Sequence, residues 1–169
     1  MNVTTIFSDK NLNSEKIKKI HGVMLKCKPL GLIKLSDITL TTQLVEGLKT
    51  LQAGFVVYSE NMDETKISNN VVIVNKIEHS ILLGFDFIIC DNEIEQLKNY
   101  LDKGVVPIII RNNYLSSILK EFNPIKNEGN SFYYDELNVW NIFYATVRYL
   151  ENYKFPFDNK NLVNNLLKV

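Results

Sequence analysis

Apolar positions along the chain fall into two kinds of pattern that alternate. Short unbroken apolar runs read as buried strands, and positions spaced by three and four read as helices. Residues 3–7 form a short apolar start. Ser14 is placed to cap a helix running to Cys27, with Ile17, Ile20, Val23, Met24 and Cys27 on one face, closed by Pro29 and Gly31. Residues 31–35 read as a strand. Asp37 or Thr39 then caps a helix carrying Leu44, Val45, Leu48 and Leu51, with Gly54 as its stop. Strands at 55–58 and 71–74 flank a polar loop at 59–70. A short helix over 77–83 ends at Gly84, and a strand apolar on both faces covers 85–90.

The second half continues the alternation. A helix is predicted over 93–103, with Ile94, Leu97, Tyr100 and Leu101 on one face and Gly104 at its end. Residues 105–110 form another two-sided apolar strand, and Pro107 marks it as an edge or a strand start. Leu115, Ile118, Leu119 and Phe122 mark a helix broken at Asn123-Pro124. Residues 131–134 make a last strand. A long helix over 139–153 puts Trp140, Phe143, Val147 and Leu150 at core spacing. Pro156 breaks the chain, and Asp158 caps a final helix bearing Leu162, Val163, Leu166 and Leu167. The expectation is a three-layer α/β, Rossmann-like sandwich with a mostly parallel sheet of about six strands. It is a single domain over 1–169, with 156–169 a helix packing back on it and Phe155 part of that packing.

Composition narrows the function. The chain has 169 residues, with 46% hydrophobic and 22% charged, ordinary for a globular domain. Lys plus Arg and Asp plus Glu are equal at 19 each, which argues against nucleic acid as a partner. No apolar run approaches the ~18 residues that span a bilayer, so no membrane is expected. The first residues lack the order of a signal peptide, and the distant Cys27 and Cys90 suit a reducing cytoplasm. With two histidines, no metal site is expected, and no cofactor. Abundant Asn, Ile and Lys are read as the imprint of an AT-rich genome.

In an open α/β sheet, ligands bind beyond the carboxyl ends of the strands. That draws attention to Ser36-Asp37, Ser59-Glu60, Asn75-Lys76, Asp91-Asn92-Glu93 and Arg111-Asn112-Asn113. Phosphate-loop, dinucleotide and nucleophile-elbow motifs are missing, and with 7 glycines no loop can cradle a phosphate on backbone N–H groups alone. Asp91, Glu93 and Glu95 are either an acid/base or magnesium cluster or simply acidic residues at a helix start. Arg111 either grips a phosphate or carboxylate or makes a surface ion pair. Seven lysines in the first 34 residues are either a solvated helix face or a dock for an anionic partner. His21 reads as a boundary histidine. Ten of the 18 aromatics lie between Phe132 and Phe157, more than one helix face buries. They serve core packing with exposed rims, or a sugar-stacking or partner surface.

Three segments resemble the C-terminal half of GT-B glycosyltransferases of the starch and glycogen synthase type. They are Gly31-Leu32-Ile33-Lys34-Leu35-Ser36-Asp37 with its helix through Leu48; Phe85 to Cys90 with Gln96-Leu97 through Gly104-Val105-Val106-Pro107-Ile108-Ile109; and Gly129 to Asp135 with the Trp140 helix. The resemblance covers roughly Gly31 to Val169. It implies a nucleotide sugar, polysaccharide or partner protein as ligand, and Lys34, Ser36, Asp91, Glu95 and Arg111 as ligand-binding candidates. Lys34 stands where the family has Arg, Thr39 where it has Lys and Leu40 where it has Gly. Glu95 matches the family's donor-binding Glu, but the glycine turn after it is missing. These departures imply a degenerate domain with no catalytic residues. A minimal transferase completed by a partner chain is the alternative. Residues 85–91 with the Pro107 strand also resemble a response-regulator receiver, with Asp91 as phosphoacceptor. That family's acidic pair, Thr/Ser and Lys are not found, which implies a pseudo-receiver.

Overall fold

The computed structural model of the chain describes residues 3–91, 97–111 and 114–169. Seven strands make one sheet: β1 (Leu30–Lys34), β2 (Gly54–Tyr58), β3 (Thr65–Lys66), β4 (Val71–Val74), β5 (Phe87–Cys90), β6 (Val106–Ile110) and β7 (Phe132–Tyr134). Among the described residues five α-helices surround it: α1 (Val3–His21), α2 (Ile38–Leu48), α3 (Leu97–Leu101), α4 (Val139–Tyr153) and α5 (Pro156–Leu166). The strand order is β3-β4-β2-β1-β5-β6-β7. All pairs are parallel except β3 with β4, so the fold is the expected α/β, Rossmann-like sandwich. The six strands expected from the sequence are present, and β3 is an addition inside the polar loop. A receiver-type sheet runs in the order 2-1-3-4-5. Here two parallel strands, β2 and β4, lie on one side of β1, so the sheet is not of that type.

The centre of the sheet is a close approach. Gly31 lies level with Phe55 on β2 and Phe87 on β5. A Cβ at Gly31 would come within 2.1 Å of the Phe87 ring. That ring packs 4.7 Å from Tyr149 of α4, and this face carries α2 and α4, which touch where Phe143 covers Gly47. The opposite face carries α1 and α5, which meet at Gly104 through Ile6 and Val163. Gly104 has φ +66, a conformation that favours glycine, so the turn into β6 depends on it twice over.

Several elements differ from expectation, each for a visible reason. The short apolar start at 3–7 is the first turn of α1, and Ser14 lies inside that helix instead of capping it. The buried positions of α1 are Val3, Ile6, Lys10, Ser14, Ile17 and Lys18. Three of these are polar, which hides the helical period from a reading based on hydrophobicity. Gly22, at φ +76, ends α1, while Val23 and Cys27 are buried in the loop beyond it. Helix α2 stops at Leu48, and Gly54 begins β2 instead of ending the helix. The expected short helix at 77–83 is a 3-10 turn, His79–Gly84.

Pro107 is not on an edge strand: β6 lies between β5 and β7. The Val106 N–H bonds Asp86 on the β5 side, so the N–H that Pro107 lacks would face β7. On that side pairing begins only at Ile108 opposite Phe132, so no ladder bond is lost. The helix expected at 115–122 is one 3-10 turn, Tyr114–Ser117. Beyond it the Asn130 side chain binds both Lys120 N–H and the Ile118 carbonyl, at 2.8 and 3.2 Å. The start of the helix predicted over 93–103 lies outside the described residues.

Helix α4 has the predicted bounds, and the expected Phe143 and Leu150 pack partly buried against the core, but its fully buried face lies beside them. Its buried residues are Ile142, Ala145, Thr146 and Tyr149, while Trp140 is 79% exposed. Small Ala145 and Thr146 let the helix close on the sheet; a large aromatic in their place would hold it off. Helix α5 begins with Pro156 at its first turn and Phe155 at the cap, so Asp158 is not the cap. Leu162, Val163 and Leu166 are buried, whereas Phe155 is 60% exposed and takes no part in the packing expected of it.

Candidate functional site

The chain leaves β1 toward β2 and β4, then crosses back to place β5 on the other side of β1. A crevice therefore opens beyond the carboxyl ends of β1 and β5, where neighbouring connections diverge. A cleft of about 220 Å³ occupies it, lined by Lys34, Leu35, Ser36, Tyr58, Ser59, Glu60, Asn61 and Asp91.

The turn after β1 is built around a carboxylate. Asp37 caps α2, its Oδ1 accepting the Leu40 N–H at 2.8 Å. The Ser36 N–H donates to Asp91 Oδ2 at 2.7 Å. Asp91, 7% exposed, thus joins the two strand ends across the crevice. Behind it Tyr134 Oη donates to the Cys90 carbonyl at 2.7 Å and braces the end of β5. Burial, with Asp91 adding, pushes the Cys90 thiol well above its ordinary pKa, so it is not a thiolate nucleophile.

Across the cleft the Lys34 ammonium lies 5.2 Å from the centre of the Tyr58 ring. Tyr58 Oη donates to Glu60 Oε1 at 2.7 Å, and that bond holds the phenol above its usual pKa. The Asn61 N–H donates to Ser59 Oγ at 3.3 Å. The cleft therefore presents an aromatic face, two carboxylates, an amide, hydroxyls and one cation.

Of the sequence candidates, Lys34, Ser36 and Asp91 come together here. Glu95 and Glu93 lie outside the described residues. Arg111 does not line the cleft. Its Nε binds Asp135 Oδ1 at 2.5 Å and its guanidinium covers the Tyr133 ring, which is the ion-pair reading. The other arginine, Arg148, binds Glu121 and the Tyr133 carbonyl. Among the described residues no three His, Cys, Asp or Glu side chains gather as a metal would need.

The lysine-rich start is not wholly a solvated face. Lys10 is 3% exposed and Lys18 is buried. Lys10 Nζ donates to the Phe85 carbonyl at 2.5 Å, and Lys18 Nζ to the Leu25 carbonyl at 3.2 Å. His21 is half-buried at the end of α1, as a boundary histidine should be. Among the clustered aromatics Phe132, Tyr133, Tyr134 and Tyr149 are core, whereas Trp140, Tyr144 and Phe157 are exposed.

Tyr58 and Asn61 were not singled out from the sequence. The parallel register carries the missing signal: Ile33 lies opposite Val57, which sets Lys34 beside Tyr58 on the same face.

No protein-family model matches the sequence, and no curated protein sequence matches it. Solved structures do. The catalytic domain of starch synthase IV from Arabidopsis thaliana, bound to ADP and acarbose, superposes with a TM-score of 0.74 at 16% identity. All of this chain matches 40% of that one. The spinosyn forosaminyltransferase SpnP gives 0.57 at 14% identity, with 82% of this chain on 39% of that chain. The glycosyltransferase SnogD from Streptomyces nogalater gives 0.53 at 16%, with 82% of this chain on 38%. The chain spans about two-fifths of the length of each. Its sheet order, its crevice at β1 and β5 and these superpositions together identify the fold as that of a GT-B glycosyltransferase half.

Proposed function

We propose that the chain is a degenerate GT-B-like domain that binds without catalysing, and that its cleft accepts a neutral oligosaccharide in the cytoplasm. The observation that carries this reading is the Ser36 N–H given to Asp91. A diphosphate at a strand–turn–helix needs free N–H donors and positive charge. Here the Ser36 N–H, in the turn after β1, is already held by a carboxylate. A diphosphate would meet Asp91 and Glu60, with Lys34 as the one cation of the cleft lining. Arg111, the cation expected to help, is bound to Asp135 elsewhere.

What the cleft does offer suits a sugar. A ring face at Tyr58 can stack on C–H groups, and Glu60, Asn61 and Ser59 can exchange hydrogen bonds with hydroxyls. Polyols need no counter-charge, so the carboxylates become acceptors instead of a penalty.

Calorimetry with maltotriose and ADP, beside a glucosyl-transfer assay with ADP-glucose and UDP-glucose, tests the reading. Maltotriose binding that ADP fails to displace, with no transfer, is the expected result. Transfer by the chain, lost in Lys34→Ala, would show catalysis in this cleft and overturn the proposal. So would ADP binding more tightly than the sugar.

A further inference from the structure

A larger groove, about 280 Å³, lies at the opposite end of the sheet. Three segments form it: Lys28-Pro29 ahead of β1, the 50–53 loop between α2 and β2, and the last two turns of α4. Leu51, Val147 and Leu150 give it apolar walls over a floor of Pro29 and Ala53. The groove is preformed. Asn70 Nδ2 ties down the loop by donating to the carbonyls of Leu48, Leu51 and Ala53 at 3.2, 2.9 and 3.1 Å. The Gly54 N–H then clamps the Pro29 carbonyl at 2.9 Å, and Tyr153 rests against Tyr149.

The charge at its rim is unbalanced. Lys154 is the C-cap of α4 and pairs with Glu151 at 2.6 Å, so it is already answered. Lys28 makes no ion pair among the described residues. Buried Asp86 feels that ammonium without pairing with it, so an apolar slot with one ammonium at its mouth remains complementary to a flat apolar body bearing one negative charge. The volume is near the lower limit of ligand pockets, about 300 Å³, and its apolar walls suit a small apolar body.

From this geometry we infer a second ligand site, for a small aryl or acyl monocarboxylate, held by the apolar walls and oriented by Lys28. It is independent of the cleft at Lys34 and Asp91, and of the reading proposed for that cleft.

The test is an amide NMR titration of the full chain with phenylacetate and with its neutral isostere, phenylacetamide. Phenylacetate should give saturable shifts at residues 50–53 and 151–154, with residues 34–36 unmoved. It should bind about three- to fivefold more tightly than the amide, the scale of one exposed ion pair. Lys28→Gln, an exposed change, should erase that preference while leaving the fold intact. Val147→Trp, checked by circular dichroism, should block both probes by filling the slot. The inference fails if neither probe saturates at 50–53, if acid and amide bind equally, or if Lys28→Gln keeps the preference.

Discussion

The two ends of the sheet make a contrast. At the carboxyl ends of β1 and β5, where this fold places ligands, polar groups abound, and the bonds of Ser36 to Asp91 and Tyr58 to Glu60 leave acceptors and hydroxyls for a polyol but little for a phosphate. At the amino ends the groove has apolar walls with polar groups at its rim, and the Lys28 ammonium makes no ion pair among the described residues. The comparison teaches that the place where a fold usually binds ligands does not by itself guarantee available chemistry. A site is read from the donors and charges left over after the protein's own hydrogen bonds are made.

Changes to the chain can break or sharpen this contrast. The largest effect is expected from removing residues 156–169. That strips Leu162, Val163 and Leu166 from the α1 face, each worth roughly 1.5–3 kcal/mol of burial. Both ends should lose their ligands together as the chain unfolds at room temperature, monitored by circular dichroism. Phe155→Ala, at an exposed position, should stay within about 0.5 kcal/mol of the wild type. A truncated chain that melts like the full one would show the two ends to be held by the sheet without α5.

Next comes Gly31→Val, which drives a side chain into the Phe87 ring beneath both ends. A loss of about 3 kcal/mol or more in urea unfolding is expected, because neither the ring nor the central strand can retreat. A variant as stable as the parent would mean that the sheet centre yields.

A pH effect follows from Lys10. Burial pulls its pKa from 10.5 down to about 8, with Asp86 opposing. The folded state therefore releases this proton first, and between about 8 and 10.5 the unfolded chain holds more protons. Stability should rise with pH across that window, by the order of 1–3 kcal/mol from this group. Lys10→Met should flatten the rise in urea midpoints measured from pH 7.5 to 9.5, the remainder coming from Lys18, which burial shifts the same way. An unchanged slope would refute the assignment.

The smallest effect sharpens the contrast most. Asp91→Asn removes the charge that Ser36 now serves, at a cost of about 1 kcal/mol in stability. ADP affinity, measured by calorimetry, should increase several-fold at the cleft. No gain would show that the missing glycine turn, and not Asp91, excludes the diphosphate.

Much of this molecule was legible in the chain. Runs such as Phe87 to Cys90 are apolar on both faces, which only a parallel strand covered on both sides can satisfy. Asp37 was recognisable as a cap because its carboxylate answers orphan N–H groups within four residues. Such features are local, so sequence alone determined the alternation of strands and helices, the sheet's class and the strand ends that hold Lys34, Ser36 and Asp91. Tertiary structure decided what depends on distant neighbours. Lys10 and Ser14 face inward because carbonyls at the 3-10 turn and the close approach of Gly84 receive them there. The inner face of α4 is set by Ala145 and Thr146, which let the helix approach, and by Ile142 and Tyr149, which fill the core beside them. Arg111 went to Asp135, and Tyr58 joined the cleft, through register and strand order. Those pairings bring together residues far apart in sequence, and no local periodicity encodes them.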